Sequence, residues 1–165
     1  FMKPWYYISV LLIGFSIVFV LWLIRKFKEL KTPQIKKYTL KDYLLSKNER
    51  IVYEILLLYA KDFNLEVLPK MRLSEFIHVD RKNRNAFFII QNKFVDFLIV
   101  DNVKIKPKYA IVIEKKNLKE SNLELFENIF KEIKLKWILI KEEELEKPLE
   151  LKEKLKKILE EAYAW

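Results

Sequence analysis

The stretch "FVDFLIVDNVKIKPKYAIVIEKK", Phe94 to Lys116, decides how the rest of the chain is read. Two runs rich in Val, Ile, Phe and Tyr, near residues 94–101 and 109–116, flank a lysine-rich turn around Pro107. That pattern predicts two adjacent strands. Charge intrudes at three places: Asp96 inside the first strand, Glu114 and Lys116 at the end of the second. Strand side chains alternate, so Glu114 and Lys116 are expected on one face and Ile111, Ile113 and Lys115 on the other. If the strands pair, Asp96 can converge on Glu114 and Lys116.

Working outward, "SKNERIVYEILLLYAKDF" reads as a helix with a marked start. Ser46 and Glu49 have the spacing of a capping box, and Val52, Ile55, Leu56 and Tyr59 form an apolar stripe. "LEVLPKMRL" reads as a short strand, and "SEFIHV" and "RKNRNAFFIIQNKF" as short helical turns. Downstream, "NLELFENIFKEIK" is an amphipathic helix, "WILIK" a short buried strand, and "KPLELKEKLKKILEEAY" a final helix with Pro148 in its first turn. This order predicts an α/β domain over residues 44–165, a mixed sheet flanked by helices.

The N-terminus is different in kind. "WYYISVLLIGFSIVFVLWLI", Trp5 to Ile24, carries no charge over 20 residues, enough to cross a bilayer core as one helix. Aromatic residues at both ends suit the interfaces. A cleaved secretory signal fits less well, because the run is too long and no small-x-small site follows. Lys3 precedes the span, whereas Arg25, Lys26, Lys28, Lys31, Lys36 and Lys37 follow it. The positive-inside rule therefore places the C-terminal domain in the cytoplasm, on the inner membrane. Residues 1–24 read as a transmembrane anchor and 25–43, which include Pro33, as a basic stalk.

Composition narrows the chemistry. There is no cysteine and one histidine, His78, which excludes thiolate and multi-histidine metal sites within the chain. His78 itself reads as a loop or helix-surface residue. The single glycine, Gly14, lies in the apolar span, so the domain has no dinucleotide fingerprint, P-loop or nucleophile elbow. Two carboxylates and a lysine at a strand end remain. Asp96 and Glu114 could hold Mg²⁺ or Mn²⁺ through hard oxygen ligands, with Lys116 assisting attack by a water. The plainer reading is a strand-edge charge at Asp96 and an exposed strand terminus at Glu114–Lys116. The E-x-K triplet alone decides nothing, since it recurs at residues 29–31, 132–134 and 150–152.

The run "RLSEFIHVDRKNRNAFFIIQNKFVDFLIVD", with "LLSKNERIVYEIL" before it and "AIVIEKKN" after it, resembles the bacterial domain of unknown function 2726. That family is placed among restriction-endonuclease-like, PD-(D/E)xK folds. The resemblance spans most of residues 44–141 and is dense at Arg72–Asp101. It implies acidic metal-site positions at Asp96 and Glu114 and places Glu49 at the family's acidic residue on the first helix. Lys116 stands where nearer relatives carry a second acid, which restores the wider superfamily's E-x-K. Glu49 thus has two readings, a helix cap and a site residue. The activity implied is metal-dependent hydrolysis of DNA phosphodiesters by a membrane-anchored nuclease. The alternative is a catalytically silent module of the same fold that binds nucleic acid or a protein partner at the inner membrane. Arg81, Lys82, Arg84 and Lys93 are candidate phosphate contacts or a solvated loop.

The lysine asymmetry yields a topological prediction. In intact cells the C-terminal domain should be protected from external protease and become sensitive once the inner membrane is permeabilised. Digestion from the outer side would reverse the orientation.

Overall fold

The structure, a computed structural model, describes residues 3–30 and 38–164. The chain divides into two compact units, Phe1–Asp42 and Tyr43–Trp165.

The first unit contains helix α1, Pro4–Leu30. Its candidate membrane span, Pro4–Glu29, has a mean hydropathy of 2.6. At 1.5 Å per residue α1 is about 40 Å long, more than the ~30 Å hydrocarbon core requires. The helix is long and apolar enough to span a membrane. It does not stop at Ile24 but runs on through Arg25, Lys26 and Lys28, so the start of the expected stalk is helical. The Lys26 ammonium lies 4.9 Å from the Trp22 ring centre. Lys31, Pro33, Lys36 and Lys37 lie outside the described residues.

The second unit is a four-stranded mixed sheet covered on both faces. Its order is β1 (Leu65–Arg72), β2 (Phe94–Asp101), β3 (Pro107–Ile113) and β4 (Lys136–Ile140). β1, β2 and β3 pair antiparallel, and β4 runs parallel to β3. The turn between β2 and β3 is held by Asp101, whose carboxylate accepts the backbone N–H groups of Lys104 and Lys106 at 2.8 and 2.5 Å. The parallel step from β3 to β4 needs a crossover, and helix α5 (Glu120–Glu132) supplies it.

Helix α2 (Lys47–Ala60) starts with the expected capping box, Ser46 with Glu49. With α7 (Pro148–Tyr163) it covers one face of the sheet, against Phe97, Ile99, Ile111 and Ile113. The other face carries Leu98, Val100, Ala110 and Val112 and is covered by Phe126 and Phe130 of α5 and by Leu73 of the short α3 (Leu73–Phe76). Two further short helices are α4 (Arg84–Ile90) and α6 (Glu142–Leu145). Coverage on both faces explains why β2 and β3 read as near-continuous apolar runs rather than as alternating ones. β1 tolerates Pro69 because an edge strand has a neighbour on one side only.

Phe97 is fully buried in β2 and stacks on Tyr53 of α2 with ring centres 5.7 Å apart. Phe97→Ala should cost about 3–5 kcal/mol, the usual range for emptying an aromatic core site. Denaturant unfolding of the detergent-solubilised chain measures it. A loss under about 1 kcal/mol would contradict the core assigned to β2.

Candidate functional site

The second unit buries two charged side chains, Glu49 on α2 and Asp96 on β2, each 3% exposed. Burial of two carboxylates is costly unless each is paired and hydrogen-bonded. Both conditions are met by two lysines. The Lys115 ammonium lies 2.8 Å from Glu49 Oε1 and 2.8 Å from Asp96 Oδ1. Lys70 of β1 lies 2.6 Å from Glu49 Oε1 and 3.8 Å from Asp96 Oδ1. Each remaining oxygen accepts a backbone N–H: Glu49 Oε2 from Ser46 at 3.1 Å, Asp96 Oδ2 from Ile113 at 2.7 Å. Phe94 roofs the cluster, its ring centre 5.3 Å from the Lys70 nitrogen and 5.4 Å from that of Lys115. Two positive and two negative charges close on one another under an aromatic ring.

Local backbone geometry makes this possible. Lys70 and Asp96 stand opposite each other, between the paired positions Pro69↔Phe97 and Met71↔Val95. Lys70 has φ 53°, a left-handed conformation costly for a non-glycine residue. That kink lets the strand bring the Lys70 ammonium onto Glu49 and Asp96. Beyond Phe97↔Ile111 the β2–β3 ladder stops, and the Ile113 N–H goes to the Asp96 carboxylate instead of to a strand carbonyl.

The sequence-predicted residues separate at this point. Glu49 and Asp96 come together. Glu49 keeps the capping role, one oxygen accepting the Ser46 N–H at the start of α2, while its other oxygen meets the two lysines. The expectation that Glu114 and Lys116 project from a strand face onto Asp96 is corrected. β3 ends at Ile113, and Lys116 lies exposed in the following turn. Glu114 turns to the N-terminus of α6, where its Oε2 accepts the Glu142 N–H at 3.2 Å. Lys115 takes the place expected of Lys116, and Lys70 and Phe94 were not anticipated. A signal for Lys115 existed: Ile111 and Ile113 share its parity and face α2, the helix that carries Glu49.

This donor set does not fit Mg²⁺ or Mn²⁺. A hard cation needs several free oxygen ligands. Here Glu49 Oε1 and Asp96 Oδ1 are held by ammonium groups, their partner oxygens by N–H groups, and one Glu114 oxygen by the first N–H of α6. Among the described residues no three Asp, Glu, His or Cys side chains group closely enough to hold a metal.

The candidate basic residues are spread from the α3–α4 connection to the start of β2. Arg81 and Lys82 occupy a turn, Arg84 begins α4, and Lys93 is half-buried between α4 and β2. Arg81 and Arg84 line a 470 Å³ cleft with Phe87 and Phe88, residues 46% and 59% exposed. Exposed aromatics beside arginines are the residue types that suit planar groups and phosphates, and Asp80 lines the same cleft.

The chain matches the sequence model of the family described as "Protein of unknown function (DUF2726)" over residues 41–158. It belongs to that family. No curated protein and no solved structure matches it. The ion-pair cluster, the α4 cleft and the whole sheet lie within the DUF2726 region.

Titration of the DUF2726 cluster has a defined direction. Burial by itself would raise the Glu49 carboxyl, but hydrogen bonds from Lys115, Lys70 and the Ser46 N–H outweigh it and hold the pKa at about 2. Burial alone would lower Lys115, but the hydrogen bonds it donates to Asp96 and Glu49 push it above its ordinary value. A depressed acid contributes stability above its unfolded pKa of 4.5, and that contribution is lost as pH falls from 4.5 through 2. The raised Lys115 contributes fully below 10.5 and loses its contribution as pH climbs beyond that value.

Thermal melts should therefore fall less steeply between pH 4.5 and 2 for Glu49→Gln than for the wild type. Lys115→Met should cost about 3 kcal/mol, the low end for stranding a buried partner, because its side chain is 39% exposed. Adding Asp96→Asn to Lys115→Met should recover part of that loss. Equal acid limbs, or strictly additive losses, would mean that the four groups are not coupled.

Proposed function

We propose that the protein is a membrane-anchored, restriction-endonuclease-like module that binds nucleic acid at the cytoplasmic side of the inner membrane without hydrolysing it. One observation carries the reading: Lys70 and Lys115 close on both buried carboxylates, so the four side chains carry no net charge and each carboxylate oxygen already has a hydrogen-bond donor. Metal-assisted hydrolysis requires a site with residual negative charge and open coordination positions. The fold assignment rests on the family resemblance and on the arrangement of an acid on the first helix, an acid on a central strand and a lysine at the end of the next. The binding assignment rests on the α4 cleft, where Arg81 and Arg84 flank exposed Phe87 and Phe88. Arginines hold phosphates there, and the rings stack on unpaired bases.

The same convergence favours a second reading. Glu49, Asp96 and Lys115 meet in the order of a nuclease site. Activity would then require both lysines to leave the carboxylates and Mg²⁺ or Mn²⁺ to replace them.

The 165-residue chain in detergent micelles, mixed with a labelled oligonucleotide and with supercoiled plasmid, separates the readings. Binding should weaken steeply with salt, and Arg81→Ala and Arg84→Ala should each lower the salt slope by about one. Plasmid should stay intact in Mg²⁺ and in Mn²⁺. Nicking that disappears in Asp96→Asn would establish the nuclease, and no binding at low salt would favour a protein partner.

A further inference from the structure

The stretch "YTLKDYLL", residues 38–45, leads into α2 and contains no glycine, proline or serine, the residues of a flexible linker. Five of its eight side chains are tyrosine or leucine instead. The fold takes in one of them. Leu45 is half-buried and packs against the core that includes Val52 and Leu56, and Ser46 then caps α2. Tyr38, Leu40, Tyr43 and Leu44 are each at least 70% exposed. The Arg50 guanidinium lies 5.9 Å from the Tyr43 ring centre, yet Tyr43 stays open to water. Large apolar groups gathered on one exposed stretch mark a binding surface.

Position and charge name what covers it. α1, long and apolar enough to cross a bilayer, ends at Leu30, eight residues before Tyr38. At no more than about 3.6 Å per residue that connection reaches about 29 Å, so Tyr38 stays within reach of a bilayer that α1 crosses. Residues 25–47 carry eight basic side chains against two acidic. Basic residues beside a span are drawn to anionic lipid, whereas a second copy of this stretch would repel the first. Tyrosine suits the boundary itself, its ring in the apolar region and its hydroxyl in water.

We propose that residues 38–44 lie in the interface of an anionic bilayer. Tyr38, Leu40, Tyr43 and Leu44 enter the boundary between headgroups and acyl chains, and Lys41 stays among the lipid phosphates. This is a membrane contact separate from α1, and it ends one residue before the packed fold begins at Leu45. It rests on the membrane reading of α1 and on no reading of the ion-pair cluster or the α4 cleft.

The chain has no cysteine, so Leu40→Cys accepts a single polarity-sensitive fluorophore at a position that packs against nothing in the core. The labelled 165-residue chain is reconstituted into vesicles of phosphatidylcholine, alone or mixed with phosphatidylglycerol. Spin-labelled lipids serve as quenchers near the headgroup or at the chain end. In anionic vesicles the emission should shift to the blue, and the shallow quencher should dim it more than the deep one, as at the depth of about 5–10 Å typical of interfacial segments. Leaving out phosphatidylglycerol should weaken the quenching, and so should Tyr38→Ser combined with Tyr43→Ser. Emission as in water in both vesicle types would overturn the proposal, and equal quenching in both would remove the part given to charge and overturn it too. A blue shift that no lipid quencher touches would assign the segment to the domain or to a second copy. Extraction with alkaline carbonate reads α1 separately. A chain stripped from the vesicles would refute the membrane reading and this contact with it, whereas a retained chain with a water-exposed label would refute the contact alone.

Discussion

Asp96 ends the ladder between the two central strands and begins the cluster that fastens those strands to α2. β2 is buried along Val95–Val100, and its third residue is a carboxylate that no core tolerates bare. One oxygen takes the Ile113 N–H, which satisfies the last donor of β3 where strand pairing stops. The other takes Lys115 and draws the chain beyond β3 back over the sheet. From that point the remaining geometry follows. Lys115 reaches Glu49, Glu49 caps α2, and the residues after Lys115 form an exposed turn. Remove the carboxylate and a strand end, a helix start and a lysine lose their common anchor.

The energetics of such a cluster are finely balanced. Taking four charges out of water costs several kcal/mol per ion, and the mutual attraction offsets this only when the geometry is good and the remaining lone pairs are filled. Both conditions hold for the carboxylates, whose oxygens all have donors. The lysines are less deeply buried, with side chains 27% and 39% exposed, so they keep part of their hydration. Phe94 covers them with a ring face, which attracts cations without competing for the carboxylates. The arrangement specifies position more than it adds stability. A hydrophobic substitute for the whole set could hold the fold, but not this register of Lys70 opposite Asp96.

Much of the fold was legible because β2 and β3 are buried on both faces and helices α2, α5 and α7 carry clear stripes or caps. The site was half legible. Asp96 and Glu49 stood out as charges on apolar elements, a conflict between local pattern and residue type that burial with a partner resolves. Lys116 was misplaced because counting by twos assumes that the strand persists, and β3 stops three residues earlier. Lys70 could not be found by counting at all. Its role depends on a left-handed backbone in the middle of a strand, set by tertiary contacts with Glu49 and Asp96. The proline before it marks an edge strand but says nothing of where the next side chain goes. Glu114 was assigned by its neighbourhood to the wrong partner, since the donors at the start of α6 lie close to the end of β3.

The kink at Lys70 also bears on how the domain behaves among its own copies. β1 is an edge of the sheet, and an open edge of eight residues is a template on which another chain can add a strand. At mid-strand, however, β1 offers Pro69, which has no N–H, and then Lys70, whose backbone leaves the pleat. Two consecutive residues cannot continue a ladder outward. The distortion that delivers an ammonium to the cluster therefore also leaves the rim of the sheet unfit for pairing with a second copy.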